Sequence, residues 1–286
     1  MTEPAIEARG LRYAYGDHLA VDGVDVVVQP GEILGFLGPN GAGKSTTIKM
    51  ITGQLRPDQG TVSVLGMDLA TNRAEAQGRL GVAFEEKNLY DVMSARENLR
   101  FFGRLFGIKD LDVEGLLRRV DLADRADDRV SGYSKGMRQR LMMARAIVND
   151  PDVLVLDEPT DGLDPVSARA IRALIRSEAD RGAAVLLTTH DMHEADELSD
   201  RVAFINEGQI LAEDNPEALK LEHGSRSILV RVKDGSGVTE RRIELDGAET
   251  PGDLAAAMDG DILTVHTEEA TLEDIFVTFA GRGLAG

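Results

Sequence analysis

Short apolar runs alternate with segments of helical periodicity along most of the chain. The apolar runs predict strands at residues 24–29, 32–38, 61–66, 80–85, 152–158 and 183–190. Apolar residues that recur every three or four positions predict helices at residues 44–52, 94–106, 134–149, 165–180 and 192–200. Short buried strands separated by helices indicate an α/β fold whose largely parallel sheet is covered on both faces.

Two regions depart from this alternation. Residues 94–122 contain two helical patterns and no strand, which predicts a helical insertion. Ser94 is the expected N-cap of its first helix, and Glu97, three residues later, completes a capping box. Near residues 221–227 the pattern changes, and strands at 227–234, 238–247 and 261–267 precede a last helix from about residue 271. We therefore expect a main domain over residues 1–222 and a small α+β appendage over residues 223–286.

Composition narrows the classes of function. The chain has 286 residues and a net charge of −18, from 50 acidic and 32 basic side chains. This balance disfavours nonspecific binding to nucleic acid or anionic lipid, which requires clustered cations. The absence of cysteine excludes disulfides, thiolate metal sites and Cys nucleophiles. No apolar run reaches the roughly 18 residues of a membrane span, and the first residues do not resemble a secretion signal, so a cytoplasmic location is expected.

The strongest motif is LGPNGAGKST at residues 37–46, which fits the pattern G-x-x-x-x-G-K-[ST] between a predicted strand and a predicted helix. Its glycines allow backbone N–H groups to face one oxyanion. Lys44 would then reach the β- and γ-phosphates of a nucleotide, and Ser45 would bind Mg²⁺. The nucleotide-binding residues predicted in this phosphate loop are Gly38, Pro39, Asn40, Gly41, Ala42, Gly43, Lys44, Ser45 and Thr46.

Two carboxylates end the apolar strand in DVLVLDEPT, at Asp157 and Glu158. An isolated Asp-Glu pair can simply cap a strand or form salt bridges, but a phosphate loop upstream favours a catalytic interpretation. Asp157 would hold Mg²⁺, and Glu158 would orient and deprotonate the attacking water. His190 ends the next strand and is the second candidate catalytic residue, which could donate a hydrogen bond to the γ-phosphate or to the attacked centre. The other histidines are interpreted as structural or surface residues: His18, His193, His223 and His266.

A basic helix start, SGYSKGMRQR at residues 131–140, lies about twenty residues before the Asp-Glu strand. The phosphate loop, LDEPT and this Ser-x-Gly helix start, in this order, resemble the ATP-binding cassette (ABC) ATPases over about residues 5–220. The resemblance implies a P-loop NTPase core with an N-terminal antiparallel β subdomain and a helical subdomain of about residues 90–150. It also implies two subunits that meet head to tail, each site joining one phosphate loop to the other subunit's signature segment, here residues 133–137.

The resemblance also implies roles for single residues. Tyr15 resembles the aromatic residue that stacks on adenine, with Tyr13 as the alternative, and Asp164 resembles the aspartate that contacts the opposite subunit. Glu85, or Glu86 under a one-residue shift, stands where the family has a Gln, and Glu85 is the predicted third Mg²⁺ ligand. The signature segment usually reads Leu-Ser-Gly-Gly-Gln. Here the residues expected to contact the opposite nucleotide are Ser134, Lys135, Gly136 and Met137.

The function implied is that of an ATP-hydrolysing subunit of an ABC transporter, with ATP and Mg²⁺ as cofactors. The ending ATLEDIFVTFAG resembles the branch that drives separate export permeases. The implied partners are a second copy or homologous ATPase subunit and an integral-membrane permease, which holds the chain at the cytoplasmic face. Tyr90, Val92 and Met93 are candidates for the rim of a groove that receives a permease helix. No nucleic-acid partner is expected.

Two other functions are less consistent with the sequence. A soluble ABC ATPase of DNA repair or translation usually has a coiled-coil insertion, zinc motifs or two cassettes, whereas this chain has one cassette and no cysteine. A regulatory module that senses ATP without hydrolysing it would be expected to have lost Lys44, Asp157 or Glu158, and all three are present.

Overall fold

The computed structural model describes residues 3–84, 89–224, 227–234, 237–245, 260–268 and 270–283. The chain divides into two compact units, Met1–Glu213 and Asp214–Gly286. The boundary predicted from the sequence, after residue 222, differs from this one by a single helix, Pro216–His223.

Thirteen strands are present in the described residues. They are β1 Ile6–Tyr15, β2 His18–Val28, β3 Ile33–Leu37, β4 Gln59–Val64, β5 Met67–Asp68, β6 Leu80–Ala83, β7 Val153–Asp157, β8 Ala184–Thr189, β9 Arg201–Asn206, β10 Gln209–Asp214, β11 Ser227–Asp234, β12 Gly237–Glu244 and β13 Asp261–Glu268. The α-helices are α1 Lys44–Ile51, α2 Arg73–Gly78, α3 Ala95–Leu105, α4 Val113–Arg119, α5 Lys135–Ala146, α6 Pro165–Asp180, α7 Met192–Leu198, α8 Pro216–His223 and α9 Leu272–Gly283.

A six-stranded sheet, in the order β10-β9-β3-β8-β7-β6, forms the centre of the first unit. The pairs β9–β3, β3–β8, β8–β7 and β7–β6 are parallel, as the sequence predicted. Along β7, Val153 and Val155 pack in one apolar cluster, whereas Leu154 and Leu156 pack in a second cluster. Because both faces of the sheet are covered, β3, β7 and β8 are buried at every position rather than at alternate ones.

The cluster on one face also contains α1 and the predicted antiparallel N-terminal sheet, whose order is β2-β1-β4-β5. The strand predicted at residues 24–29 is the end of β2, which starts at His18. β1 was not predicted as a strand. Its pairing with β2 shifts register between Ala8 and Leu11 and again between Tyr13 and Ala14, so its apolar residues do not keep the two-residue period of a regular strand.

The cluster on the opposite face contains the helical insertion. The capping box at the start of α3 is confirmed: Ser94 Oγ accepts a hydrogen bond from Glu97 N at 3.2 Å, and Glu97 Oε2 accepts one from Ser94 N at 2.8 Å. α5 crosses from this insertion to the sheet and places Leu141, Met143 and Ala144 in the same cluster. The signature segment therefore leads into a helix that is anchored in the core.

The second unit contains a three-stranded antiparallel sheet, β12-β11-β13, and helices α8 and α9. Val230, Val232 and Ile243 form its small apolar core, and the rings of His223 on α8 and Phe279 on α9 are in edge contact. The segment PGDLAAAMDG at residues 251–260, which the sequence placed in the α+β appendage, lies outside the described residues except for its last glycine. Within the described part of the chain, none of the helices combines the length and apolarity needed to span a membrane.

Candidate functional site

The phosphate loop connects β3 to α1 at the carboxyl edge of the central sheet. Two of its glycines are required by close backbone contacts. A Cβ atom on Gly38 would lie 2.2 Å from Ile205 O, and one on Gly43, which has φ +108°, would lie 2.6 Å from Ala20 O. Gly43 is the N-cap of α1 and provides no side-chain cap. The first turn of α1 thus offers N–H groups to an anion.

Lys44 lies at the centre of this site and is only 6% exposed. Its Nζ donates to Gly38 O at 2.6 Å and to Pro39 O at 3.3 Å, and it lies 3.6 Å from Glu158 Oε1. The ammonium group therefore lies between the loop and a carboxylate at the end of β7. A phosphate group entering the loop would compete with Glu158 for this cation.

A cavity of about 260 Å³ opens beside the loop. It is lined by Tyr15, His18, Ala20, Glu158 and the loop residues Pro39, Asn40, Gly41, Gly43, Lys44, Ser45 and Thr46. Tyr15 is 49% exposed, and its ring meets that of the more buried Tyr13 edge to face at 4.9 Å. Tyr15, rather than Tyr13, therefore faces the cavity. His18 pairs with Tyr15 across the β1–β2 hairpin, which sequence reasoning missed because it had not identified β1.

Asp157 and Ser45 face each other across the site. Asp157 is buried, its Oδ1 accepts a hydrogen bond from Thr188 Oγ1, and Ser45 Oγ lies 3.5 Å from the same oxygen. A carboxylate and a hydroxyl this close are oxygen ligands of the kind that Mg²⁺ takes together with phosphate oxygens and water. No larger group of His, Asp and Glu suited to a metal occurs among the described residues. The donor set fits a cation bound jointly with a nucleotide.

Glu158 occupies an unusual backbone conformation, with φ +50°. Its N–H is held by Thr188, through the carbonyl oxygen at 3.1 Å and Oγ1 at 3.2 Å. Left-handed backbone costs a non-glycine residue about 1–3 kcal/mol and concentrates at functional sites. The side chain lies between Lys44 and His190, whose Nδ1 is 2.9 Å from Glu158 Oε2. The structure thus brings together three residues that the sequence singled out on separate elements.

The signature segment and Asp164 form a second group of predicted residues. Ser134 caps α5 and accepts a hydrogen bond from Met137 N at 3.2 Å. Asp164 caps α6, and hydrogen bonds from the Ser167 hydroxyl and backbone hold the pKa of its carboxyl below the usual range. The two helix starts are in contact, because a Cβ atom on Gly136 would lie 2.6 Å from Ser167 Oγ.

Lys135 projects beside this contact and is 62% exposed, with Nζ 3.6 Å from Asp161 Oδ2. None of the described residues in the second group lines the cavity beside the phosphate loop. Glu85, the predicted third Mg²⁺ ligand, and its alternative Glu86 lie outside the described residues.

The ABC transporter family model matches residues 21–161. A fluoroquinolones export ATP-binding protein of Mycobacterium tuberculosis is 44% identical over 98% of this chain and 94% of its own length. The chain belongs to the ATP-binding subunits of ABC transporters. A Nod factor export ATP-binding protein I of Burkholderia lata is 40% identical to this ABC subunit, over 97% of both chains.

Solved structures agree with this assignment. The structure of an ATP-binding subunit of an ABC transporter superposes on 76% of this ABC subunit and 92% of its own chain, with a TM-score of 0.70 and 29% identity. The cassette of MJ0796 bound to ADP and Pi has a TM-score of 0.68 at 23% identity, over 73% of this chain and 98% of its own, and supports the fold. This ABC subunit is an ATPase. A DNA-repair or translation ATPase, the alternative weighed above, has no support among these relatives.

Proposed function

We propose that this ABC subunit powers export by a separate membrane permease, with Glu158 as the catalytic carboxylate. The observation that carries the proposal is the position of Glu158, which is 3.6 Å from Lys44 and 2.9 Å from His190 at the edge of the phosphate-loop cavity. Export is supported by the two relatives, both of which are named export ATP-binding proteins.

ATP binds with its phosphates in the loop and its adenine against Tyr15. Ser45 and Asp157 would hold Mg²⁺, which neutralises charge on the phosphates when bound. Glu85 remains the predicted third ligand of Mg²⁺. When Lys44 binds the γ-phosphate, the ion pair between Lys44 and Glu158 is lost. The Glu158 carboxylate can then accept a proton from the attacking water. His190 holds Glu158 Oε2 and orients it, and its exposed ring can reach the γ-phosphate.

A second subunit completes each site. Ser134 and Lys135 are exposed at a helix start and the buried Gly136 follows them, and the N–H groups and the ammonium there favour an anion. Their absence from this chain's own cavity supports a role towards the nucleotide of a second copy or a homologous subunit. Met137 replaces the amide of the usual Gln and contributes apolar contact, and Asp164 faces the opposite subunit across the same interface.

The permease is proposed to dock beside the helical insertion and to hold the subunit at the cytoplasmic face of the membrane. Val92 is 79% exposed, and Tyr90 packs edge to face on Phe101 at 4.9 Å. A cavity of about 390 Å³ nearby is lined by apolar side chains that include Phe102 and Leu105, and also by the polar side chains of Thr52, Gln54, Gln77 and Arg145. An amphipathic helix of a permease fits such a groove.

The test of the catalytic assignment is Glu158→Gln. We expect ATP binding to persist and turnover to fall by about 10²-fold or more, because the amide cannot accept the proton. Asp180→Asn, which removes an exposed carboxylate from the end of α6, is the control and should retain most of the turnover. Near-normal turnover in Glu158→Gln would remove Glu158 from this role.

The test of the partner assignment is co-purification. Tagged Glu158→Gln protein is isolated from detergent-solubilised native membranes with and without ATP. A retained multi-span membrane protein supports the export proposal. Recovery of soluble complexes such as ribosomes alone would contradict it while leaving the ATPase chemistry intact.

A further inference from the structure

Glu194, on the first turn of α7, is a buried acid in contact with the catalytic region. It is 3% exposed, and its Oε1 accepts a hydrogen bond from Thr160 Oγ1. Its other oxygen, Oε2, is buried and has no hydrogen-bond partner among the described residues. A buried carboxyl with one oxygen unpartnered is costly, so packing alone does not account for it.

The surroundings of Glu194 compensate a negative charge only in part. Within the described part of the chain no Lys, Arg or His forms an ion pair with it, and the cation on the neighbouring helix, Arg172, pairs instead with Glu197 at 3.2 Å. Burial raises the pKa of the Glu194 carboxyl, and the charge of Asp191 acts in the same direction, whereas the hydroxyl groups of Thr160 and Thr189 and the charge of Arg172 act against it. The carboxyl can accept the hydrogen bond from Thr160 in either protonation state.

The hydrogen bond between Thr160 and Glu194 lies close to the two proposed catalytic residues. Thr160 follows Glu158 by two residues, and Glu194 follows His190 by four. The Glu158–His190 contact and the Thr160–Glu194 hydrogen bond therefore join the same two segments, which leave the adjacent strands β7 and β8. Close to the strand ends, Thr188 also holds Glu158 N–H. The Thr160–Glu194 hydrogen bond lies farther along both segments and fixes the loop beyond Glu158 against α7.

We propose that Glu194 is a positioning residue, which holds Thr160 against α7 and so keeps Glu158 and His190 in the arrangement needed for hydrolysis. The proposal rests on the roles assigned above to Glu158 and His190. Glu194 also fixes the beginning of the loop that ends at Asp164, the residue proposed to face the second subunit. An apolar side chain would fill this site without the desolvation cost, so the polar pair indicates a requirement for a defined loop position.

The experiment compares Glu194→Ala, Thr160→Val and the double variant in the full chain. We expect each single variant to lower kcat by about tenfold, because small misplacement of catalytic groups is costly. The KM for ATP and the affinity for a fluorescent ATP analogue should change by less than about twofold, since the phosphate loop is untouched. The double variant should be no slower than the single ones, because both remove the same hydrogen bond.

Two further variants separate positioning from general stability. Glu194→Gln should keep most of the wild-type kcat, because its amide oxygen still accepts the hydrogen bond from Thr160. Glu197→Ala removes an exposed carboxylate from the same helix and should leave kcat unchanged. If Glu194→Ala does not fold, the nearly isosteric Thr160→Val gives the answer.

Unchanged kcat in Thr160→Val, a Glu194→Gln variant as slow as Glu194→Ala, or a change confined to KM would each overturn the proposal. Wild-type protein and Glu158→Gln are measured in parallel. If Glu158→Gln hydrolyses ATP normally, the assignment of the catalytic carboxylate has failed, a result that the Glu194 variants do not affect.

Discussion

Gly136→Ala is the substitution whose effect follows most directly from the contact between the two helix starts. The added Cβ atom would lie 2.6 Å from Ser167 Oγ and 3.2 Å from Ser167 Cβ. Rotation of the Ser167 side chain relieves the first contact but breaks its hydrogen bond to Asp164. The second contact is relieved only if α5 and α6 separate by a few tenths of an ångström.

The expected change in the free energy of unfolding of Gly136→Ala is the difference between two opposed effects. Overpacking a buried contact costs about 1–3 kcal/mol. Replacing Gly by Ala within a helix gains up to about 1 kcal/mol. The net loss is therefore about 1 kcal/mol, which lowers the midpoint of thermal unfolding by about 2–4 °C for a unit of this size. Turnover should fall as well, because the signature segment moves relative to Asp164.

The assay is thermal unfolding followed by circular dichroism, with ATP turnover measured on the same preparations. Gly132→Ala is the matched control. Gly132 lies two residues before Ser134, the N-cap of α5, and its added Cβ would have no atom within 4 Å, so this variant should unfold within about 1 °C of wild type. Ser167→Ala removes the closer contact, so the double variant should lose less than the sum of the single losses. An unchanged midpoint in Gly136→Ala, or strictly additive losses, would refute the reasoning.

Three further predictions concern separate parts of the first unit. Ser94→Ala removes the cap of α3 and should lower stability by about 1 kcal/mol in denaturant titration, with no change in ATP affinity. Lys44→Ala should abolish ATP binding in calorimetry, whereas Lys49→Ala, an exposed lysine on the same helix, should bind normally. Because burial raises the pKa of Glu194, its contribution to stability is greatest below the ordinary pKa of Glu and is lost as pH rises through the raised value. The stability of Glu194→Gln relative to wild type should therefore increase with pH in thermal unfolding, and a constant difference would contradict this.

The sequence predicted the features that depend on local residue type and spacing. The parallel strands β3, β7 and β8 are apolar except at the carboxyl ends of β7 and β8, and the phosphate loop is defined by its glycines and by Lys44. Two helix starts were predictable from side chains that cap the backbone: Ser94, together with Glu97, at the start of α3, and Ser134 at the start of α5. These signals lie within a few residues of the structure that they specify.

Other features depend on contacts between distant segments and were not predictable in the same way. β1 was missed because its bulges disrupt the strand period, and the placement of His18 beside the cavity was missed with it. From the sequence, the only reason for a glycine at position 136 was close approach to the phosphate bound by a partner subunit. The structure adds a second reason, which is the contact with Ser167, thirty-one residues away. Likewise, the role proposed for Glu194 depends on its hydrogen bond to Thr160, which joins α7 to the loop after β7 and cannot be inferred from neighbouring residues in the sequence.

The measurement that tests the central claim most directly is sedimentation of Glu158→Gln protein with and without ATP. The account predicts a chain of 30.9 kDa without nucleotide and a species of twice that mass with ATP and Mg²⁺, because the signature segment binds the γ-phosphate held by a second subunit. Replacing Ser134 by Ala should weaken that dimer. A Glu158→Gln protein that binds ATP fully yet sediments as a single chain would contradict the account.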